Sequence, residues 1–162
     1  MSHITNDITV ASCFVAYFPR YNQILVAFRG SANIQNWIED FNFELVPYSG
    51  CKGCEVHVGF LEDYRIIEEK VNSKVAELIK EHPSATILAT GHSLGGALSA
   101  IGGLRLRQKF NKQVDVHNFG CPRVGNAAMA QYISSRTNSL YRVVHHKDIV
   151  PHLPPESYLY HH

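Results

Sequence analysis

The sequence predicts an α/β domain, a mostly parallel sheet flanked by helices with an antiparallel strand pair on its N-terminal side. Three observations carry that expectation. Two apolar runs rich in β-branched and aromatic residues, ASCFVAYF and QILVAF, stand close together early in the chain. From residue 60 onward, strand-like and helix-like segments alternate. With 162 residues, 45% hydrophobic and 18% charged, the chain has the size and balance of one soluble, globular domain.

Each element follows from its own pattern. Pro19 to Asn22 separates the two early runs, so they read as neighbouring antiparallel strands. Apolar residues then fall at Phe60, Tyr64, Ile67, Val71, Val75, Leu78 and Ile79. That spacing marks one face of a long helix, which Pro83 ends. ATILAT is a short, nearly continuous apolar strand, and LGGALSAIGGLRLRQKF is helix-like. VDVHNFG is the next strand, NAAMAQYISSR the next helix and LYRVV a further strand. Such alternation implies right-handed crossovers and a parallel sheet with helices on its faces.

Charge and composition exclude several function classes. The 15 basic and 14 acidic residues leave a formal charge of +1, with no basic tract, so nothing favours nucleic acid as a partner. No repeat, low-complexity segment or Gly/Ser linker divides the chain, and residues 1–162 read as a single unit. The apolar run from Leu94 to Leu104 stops at Arg105, too short to span a bilayer. MSHITNDITVASCFVAYF has neither the cationic start nor the cleavage site of a signal peptide and reads as a strand. The protein is therefore intracellular, or the chain is a fragment whose leader lies upstream.

Cysteine usage adds little. Cys13 and Cys121 fall in or at the end of strands, where buried thiols are ordinary. Cys51 and Cys54 are spaced for a small disulfide or, with His57, half of a zinc site. No second closely spaced ligand pair follows, so no metal site is assigned.

The residues that carry chemistry centre on Gly91-His92-Ser93-Leu94-Gly95. Alone, a G-x-S-x-G pentapeptide is a weak signal. Here a strand precedes it and a helix follows at once, the setting of a nucleophile elbow. A serine on such a turn projects its hydroxyl above the sheet, and small neighbours leave room for the strained backbone. The helix beginning at Leu94 aims its free amides at the place where an oxyanion forms, making the Leu94 N–H one donor. A triad acid belongs in a loop past the C-terminal end of a later strand, and Asp148, after LYRVVHHK, meets that condition. Asp115 opens its strand and sits at the wrong end of the sheet.

Six motifs occur in order: FRGS at 28–31, NWIED at 36–40, VHVGF at 56–60, GHSLGGALSA at 91–100, GCPRVGN at 120–126 and DIVPHLPP at 148–155. Together they resemble the fungal-type, class 3 triacylglycerol lipases, a branch of the α/β-hydrolases. The resemblance implies a serine carboxylester hydrolase working through an acyl-enzyme on Ser93, with Asp148 as the triad acid. It makes Ser31 the second oxyanion donor beside Leu94. It also makes residues 33–41 a lid, in which Ile34, Trp37, Ile38 and Phe41 form an apolar face. Read without the family, that segment is an ordinary core-facing amphipathic helix.

The base is the departure from the family pattern. SYLYHH resembles the family's aromatic-x-His stretch, with His162 in the matching place, but the familiar fungal enzymes take their base from a later His-x-x-Tyr segment. The chain is therefore expected to be a C-terminally truncated core, or to use His162 or His161. His92, beside the nucleophile, cannot reach its neighbour's hydroxyl, while His145, His146 and His152 read as loop residues. Expected partners are a lipid or small ester and a lipid–water interface, with no metal or organic cofactor. Phospholipase A1 and feruloyl esterase chemistry use the same core. A non-catalytic lipase-like scaffold is the rival from another class.

Overall fold

The computed structural model describes residues 2–5, 12–32 and 42–162. In chain order the strands and helices begin with β1 (Ser2–Thr5), β2 (Ser12–Phe18), β3 (Gln23–Phe28), β4 (Leu45–Pro47) and β5 (Glu55–His57). There follow α1 (Val58–Glu81), β6 (Thr86–His92), α2 (Leu94–Phe110), β7 (Val114–Phe119) and β8 (Gly125–Asn126). The last are α3 (Ala127–Arg136), β9 (Ser139–Val143) and β10 (Tyr160–His161).

The central sheet runs β1-β2-β3-β6-β7-β9, and a small second sheet runs β10-β8-β5-β4. β1, β2 and β3 pair antiparallel, while β3, β6, β7 and β9 are parallel. One row across the sheet, Val15, Val26, Ala89 and Val116, is in register and fully buried. The predicted α/β architecture with its antiparallel N-terminal pair is thus present.

α1 packs on α2 and α2 on α3, so the three helices stand side by side on one face of the sheet. Successive right-handed crossovers, each stepping to the next strand in the same direction, require this. Among the described residues, the helices that flank the sheet thus share one face. The opposite face carries Leu25, Leu88 and His117, each half-buried.

α1 buries the predicted stripe from Phe60 to Leu78, with Ile79 half-buried at its end. The helix starts earlier than its apolar periodicity, because His57 caps it: the Phe60 N–H donates to His57 Nδ1 at 3.2 Å. His57 Nε2 meets the Asn42 carbonyl at 2.5 Å. Burial pushes the His57 imidazole down to about 4, so it is neutral at pH 7 with one nitrogen donating and one accepting. α2 is buried almost all round and forms the centre of the core. Cys51 and Cys54 are joined in a disulfide, while His57 Nδ1 serves the cap and its Nε2 meets the Asn42 carbonyl. Cys13 and Cys121 are buried free thiols that burial pushes up to about 12. Among the described residues, no helix is long and apolar enough to cross a membrane.

Candidate active site

Ser93 is the single residue between β6 and α2. Its backbone stands at φ 55°, ψ −124°, a region that L-residues occupy only under constraint. The constraint is visible on three sides. The Ser93 N–H donates to the Phe119 carbonyl at 2.9 Å, tying the elbow to the end of β7. The Ser93 carbonyl accepts from Gly96 and Ala97 at 2.8 and 3.2 Å, which starts the helix immediately. On the third side, Gly95 lies so close to β3 that a Cβ there would stand 2.3 Å from the Phe28 carbonyl oxygen. Core packing therefore holds the serine in its strained conformation.

The helix ladder begins at Gly96, so the Leu94 and Gly95 amides precede it, as the first N–H groups of any helix do. Ser31 follows the end of β3 beside this turn. Its neighbour Gly30 approaches the His92 carbonyl so closely that a Cβ would meet the oxygen at 2.6 Å and Ser93 Cβ at 3.7 Å. Gly30, the residue before Ser31, thus lies against the elbow that carries Leu94. Ser93 is 1% exposed, and its Oγ has no hydrogen-bond partner among the described residues. Ile34, Trp37, Ile38 and Phe41, named above as the lid face, lie outside the described residues.

Asp148 sits in the loop after β9. Its N–H donates to the His145 carbonyl and its Oδ1 accepts from the Val150 N–H, both at 3.0 Å. Gly120, at φ 53°, closes the end of β7 where it meets both this loop and the elbow. A Cβ on Gly120 would stand 2.6 Å from Asp148 Oδ2 and 3.2 Å from His92 Nε2. The carboxylate therefore lies beside the residue that precedes the nucleophile. Asp115, by contrast, is spent on Asn138 and Ser139 at the opposite end of β7.

No histidine among the described residues is hydrogen-bonded to Ser93 Oγ or to the Asp148 carboxylate. His162 instead lines a cavity with Arg123 and Arg142. Partial desolvation there, and the charges of Arg142 and Arg123, push its imidazole down to about 4. A carboxylate partner would act in the opposite direction. His161 pairs through its backbone with Gly125, and His152 serves through its carbonyl.

Two residues that sequence reasoning passed over hold the acid loop in place. Arg142 Nη2 donates to the Cys121 and Pro151 carbonyls at 2.8 Å each. Arg123 Nη1 donates to the His152 and Pro154 carbonyls at 2.6 and 2.9 Å, and its Nη2 pairs with Glu156 at 3.0 Å. A lone arginine inside the apolar run LYRVV was the available signal.

A family model described as Lipase (class 3) matches residues 25–158. The chain belongs to that family. Among its class 3 relatives, a secreted mono- and diacylglycerol lipase 1 from Fusarium solani is 37% identical over 154 residues, 95% of this chain and 46% of the relative. The native propeptide complex of Rhizomucor miehei lipase superposes with a TM-score of 0.95 at 35% identity, covering all of this chain and 53% of that one. A solved triacylglycerol lipase, described as having a serine protease triad at its catalytic centre, matches at 37% identity with a TM-score of 0.88. It is covered over 58% of its length by 93% of this chain. The chain thus spans less than half of the curated Fusarium relative.

Proposed function

We propose that this chain carries the nucleophile, oxyanion donors and acid of a serine ester hydrolase that acts on lipid esters. The observation that carries the reading is Ser93, held at φ 55° on the elbow with the free amides of α2 ahead of it and the Asp148 carboxylate alongside. The names of its relatives, a triacylglycerol lipase and a mono- and diacylglycerol lipase, support acylglycerols as the substrate class.

In this reading Ser93 Oγ attacks the ester carbonyl as a histidine takes its proton. The Leu94 N–H and Ser31 hold the oxyanion of the tetrahedral intermediate, and Asp148 fixes the tautomer of that histidine and stabilises its charged form. The alcohol leaves with the proton, and water then releases the acid from the acyl-enzyme. The placement of His162 against Arg123 and Arg142 favours a base carried outside residues 1–162. The same observation is what favours the second reading, a lipase-like scaffold without turnover.

Hydrolysis of p-nitrophenyl butyrate with and without added imidazole separates the two. An exogenous imidazole can stand in for a missing base, so Ser93-dependent turnover is expected to appear with it and to be absent from Ser93→Ala. Asp148→Asn, which mis-orients a triad histidine, tests the acid in a chain that includes the base, where losses on the order of 10⁴-fold are typical. A folded chain with no Ser93-dependent rate under either condition would leave the scaffold reading standing. Imidazole-independent activity abolished by His162→Ala would instead make His162 the base.

A further inference from the structure

The Cys51–Cys54 disulfide lies at the turn between β4 and β5, and the fold has little structural need of it. The two cysteines are three positions apart in sequence. A loop that short loses little chain entropy on cross-linking, so the bond restrains the unfolded chain far less than one that closes a long loop. The turn is held by other means. The Tyr48 N–H donates to the Cys54 carbonyl at 2.8 Å, and the Cys51 and Cys54 N–H groups donate to the Tyr48 and Cys51 carbonyls at 3.4 Å each. Asn126, the N-cap of α3, donates from Nδ2 to the Gly53 carbonyl at 2.9 Å. Tyr48 is buried, and its hydroxyl donates to Gln108 Oε1 on α2 at 3.0 Å.

The two sulfurs have unlike surroundings. Cys54 is 2% exposed and belongs to the core, whereas Cys51 is half-buried between the exposed residues Gly50 and Lys52. Gly53 stands at φ 77°, and a Cβ there would meet nothing within 4 Å, so the outer side of the loop is open. Glu55, the acid nearest to Cys51 in sequence, accepts from Asn126 Nδ2 at 3.2 Å. Lys52 is then the charge that the loop itself presents. A thiolate arriving from solution meets a cation and one reachable sulfur, that of Cys51.

We propose that Cys51–Cys54 is an exchange site for low-molecular-weight thiols, with Cys51 as the sulfur attacked and Cys54 as the resolving partner. A thiolate RS⁻ bonds to Cys51 Sγ; the Cys51–Cys54 bond breaks, and its electron pair leaves on Cys54 Sγ, which takes a proton from solvent. A second thiolate attacks the sulfur of the adduct, which departs as RSSR and leaves Cys51 reduced. Two electrons pass from two thiols to the disulfide, and the reverse sequence, with RSSR as oxidant, closes it again. The hydrogen bonds of the turn persist in both states and keep the two cysteines in place for re-closure. The site is separate from Ser93 and does not depend on whether the chain turns over esters.

The test treats the folded chain with reduced and oxidised glutathione, quenches with acid and maps every cysteine by mass spectrometry. In the parent, millimolar reduced glutathione is expected to open Cys51–Cys54 with the far-UV dichroism unchanged, and oxidised glutathione to re-form it. The amide signals of Gly53, Asn126 and Met129 should move between the two states, while the buried Cys13 and Cys121 stay unmodified. Cys54→Ser, offered oxidised glutathione, should hold one glutathione on Cys51. Cys51→Ser should take it on Cys54 at least about tenfold more slowly, because access limits exchange. Where a variant fails to fold, the quenched parent decides, since its mixed disulfide is expected on Cys51. A bond that resists millimolar glutathione until the chain is denatured, loss of dichroism on reduction, an adduct mapped to Cys54, or equal rates in the two variants would each overturn the proposal.

Discussion

Ile87 and Leu88 are neighbours in β6 and live in different surroundings. Ile87 is fully buried beneath the helices, whereas Leu88 lies half-buried on the opposite face. The same holds along β3, where Ile24, Val26 and Phe28 are buried and Gln23, Leu25 and Ala27 are half-buried. The difference teaches where the serine's strain is supported. Ser93 is held by contacts that pass through α2, β3 and β7, all on the covered side or at the sheet's C-terminal rim. The acid, in contrast, depends on a loop tied down by two arginines beside the exposed Tyr141, Val143 and Ile149.

The sharpest way to break this comparison is a matched pair in β6. Ile87→Ala should cost about 3–4 kcal/mol in urea unfolding, the usual range for a cavity that cannot collapse. Leu88→Ala should cost about 1 kcal/mol, since much of its area already meets solvent. Equal losses would mean that the second face is as well packed as the first.

Acid titration sharpens it from the other side. His57 is neutral in the folded protein down to about pH 4, whereas an unfolded histidine titrates near 6.5. The unfolded chain therefore binds the extra proton between those values, and stability falls as the pH drops from about 6.5 to about 4. The shift corresponds to on the order of 3 kcal/mol, arising from burial of the His57 imidazole at the start of α1. Unfolding curves at pH 7 and pH 4.5 should show a His57→Gln variant losing less stability over this interval than the parent. An identical loss in both chains would place the effect elsewhere.

The smallest effect concerns the elbow itself. Ser93→Gly removes the nucleophile and also relieves a backbone that only glycine adopts without strain. It should raise stability by about 1 kcal/mol after the entropic cost of glycine is set against the relief. A destabilised Ser93→Gly would show that the elbow is not the strained point its dihedral angles suggest.

Much of this architecture was legible because each large element has a period. The Phe60–Leu78 stripe reads as a helix, and the strand–helix alternation gives a parallel sheet; both are present. β4, β5, β8 and β10 are two or three residues long, and nothing that short has a period to read. One-sided coverage was hidden for a related reason. ATILAT is apolar at nearly every position, a pattern shared by strands buried on both faces, and only the direction of each crossover distinguishes the cases. At the site, Ser93 and Asp148 stood out through their places at strand ends. Arg123 and Arg142 did not, because their acceptors are main-chain carbonyls, which every residue has. Gly120 gave no sign either, since the side chains that leave no room for a Cβ there, Asp148 and His92, are distant in sequence.

The described strands of the central sheet lie across it in the order in which they occur along the chain. Many open α/β sheets reverse their strand order once, and the two crossovers leaving in opposite directions part to form a ready-made crevice for a ligand. No such parting exists among these six strands. A sheet wound in one direction has to obtain its reactive point in another way, by forcing one residue out of line. The conformation of Ser93 does what a reversal of topology does elsewhere, and a single backbone torsion replaces a rearrangement of the whole sheet.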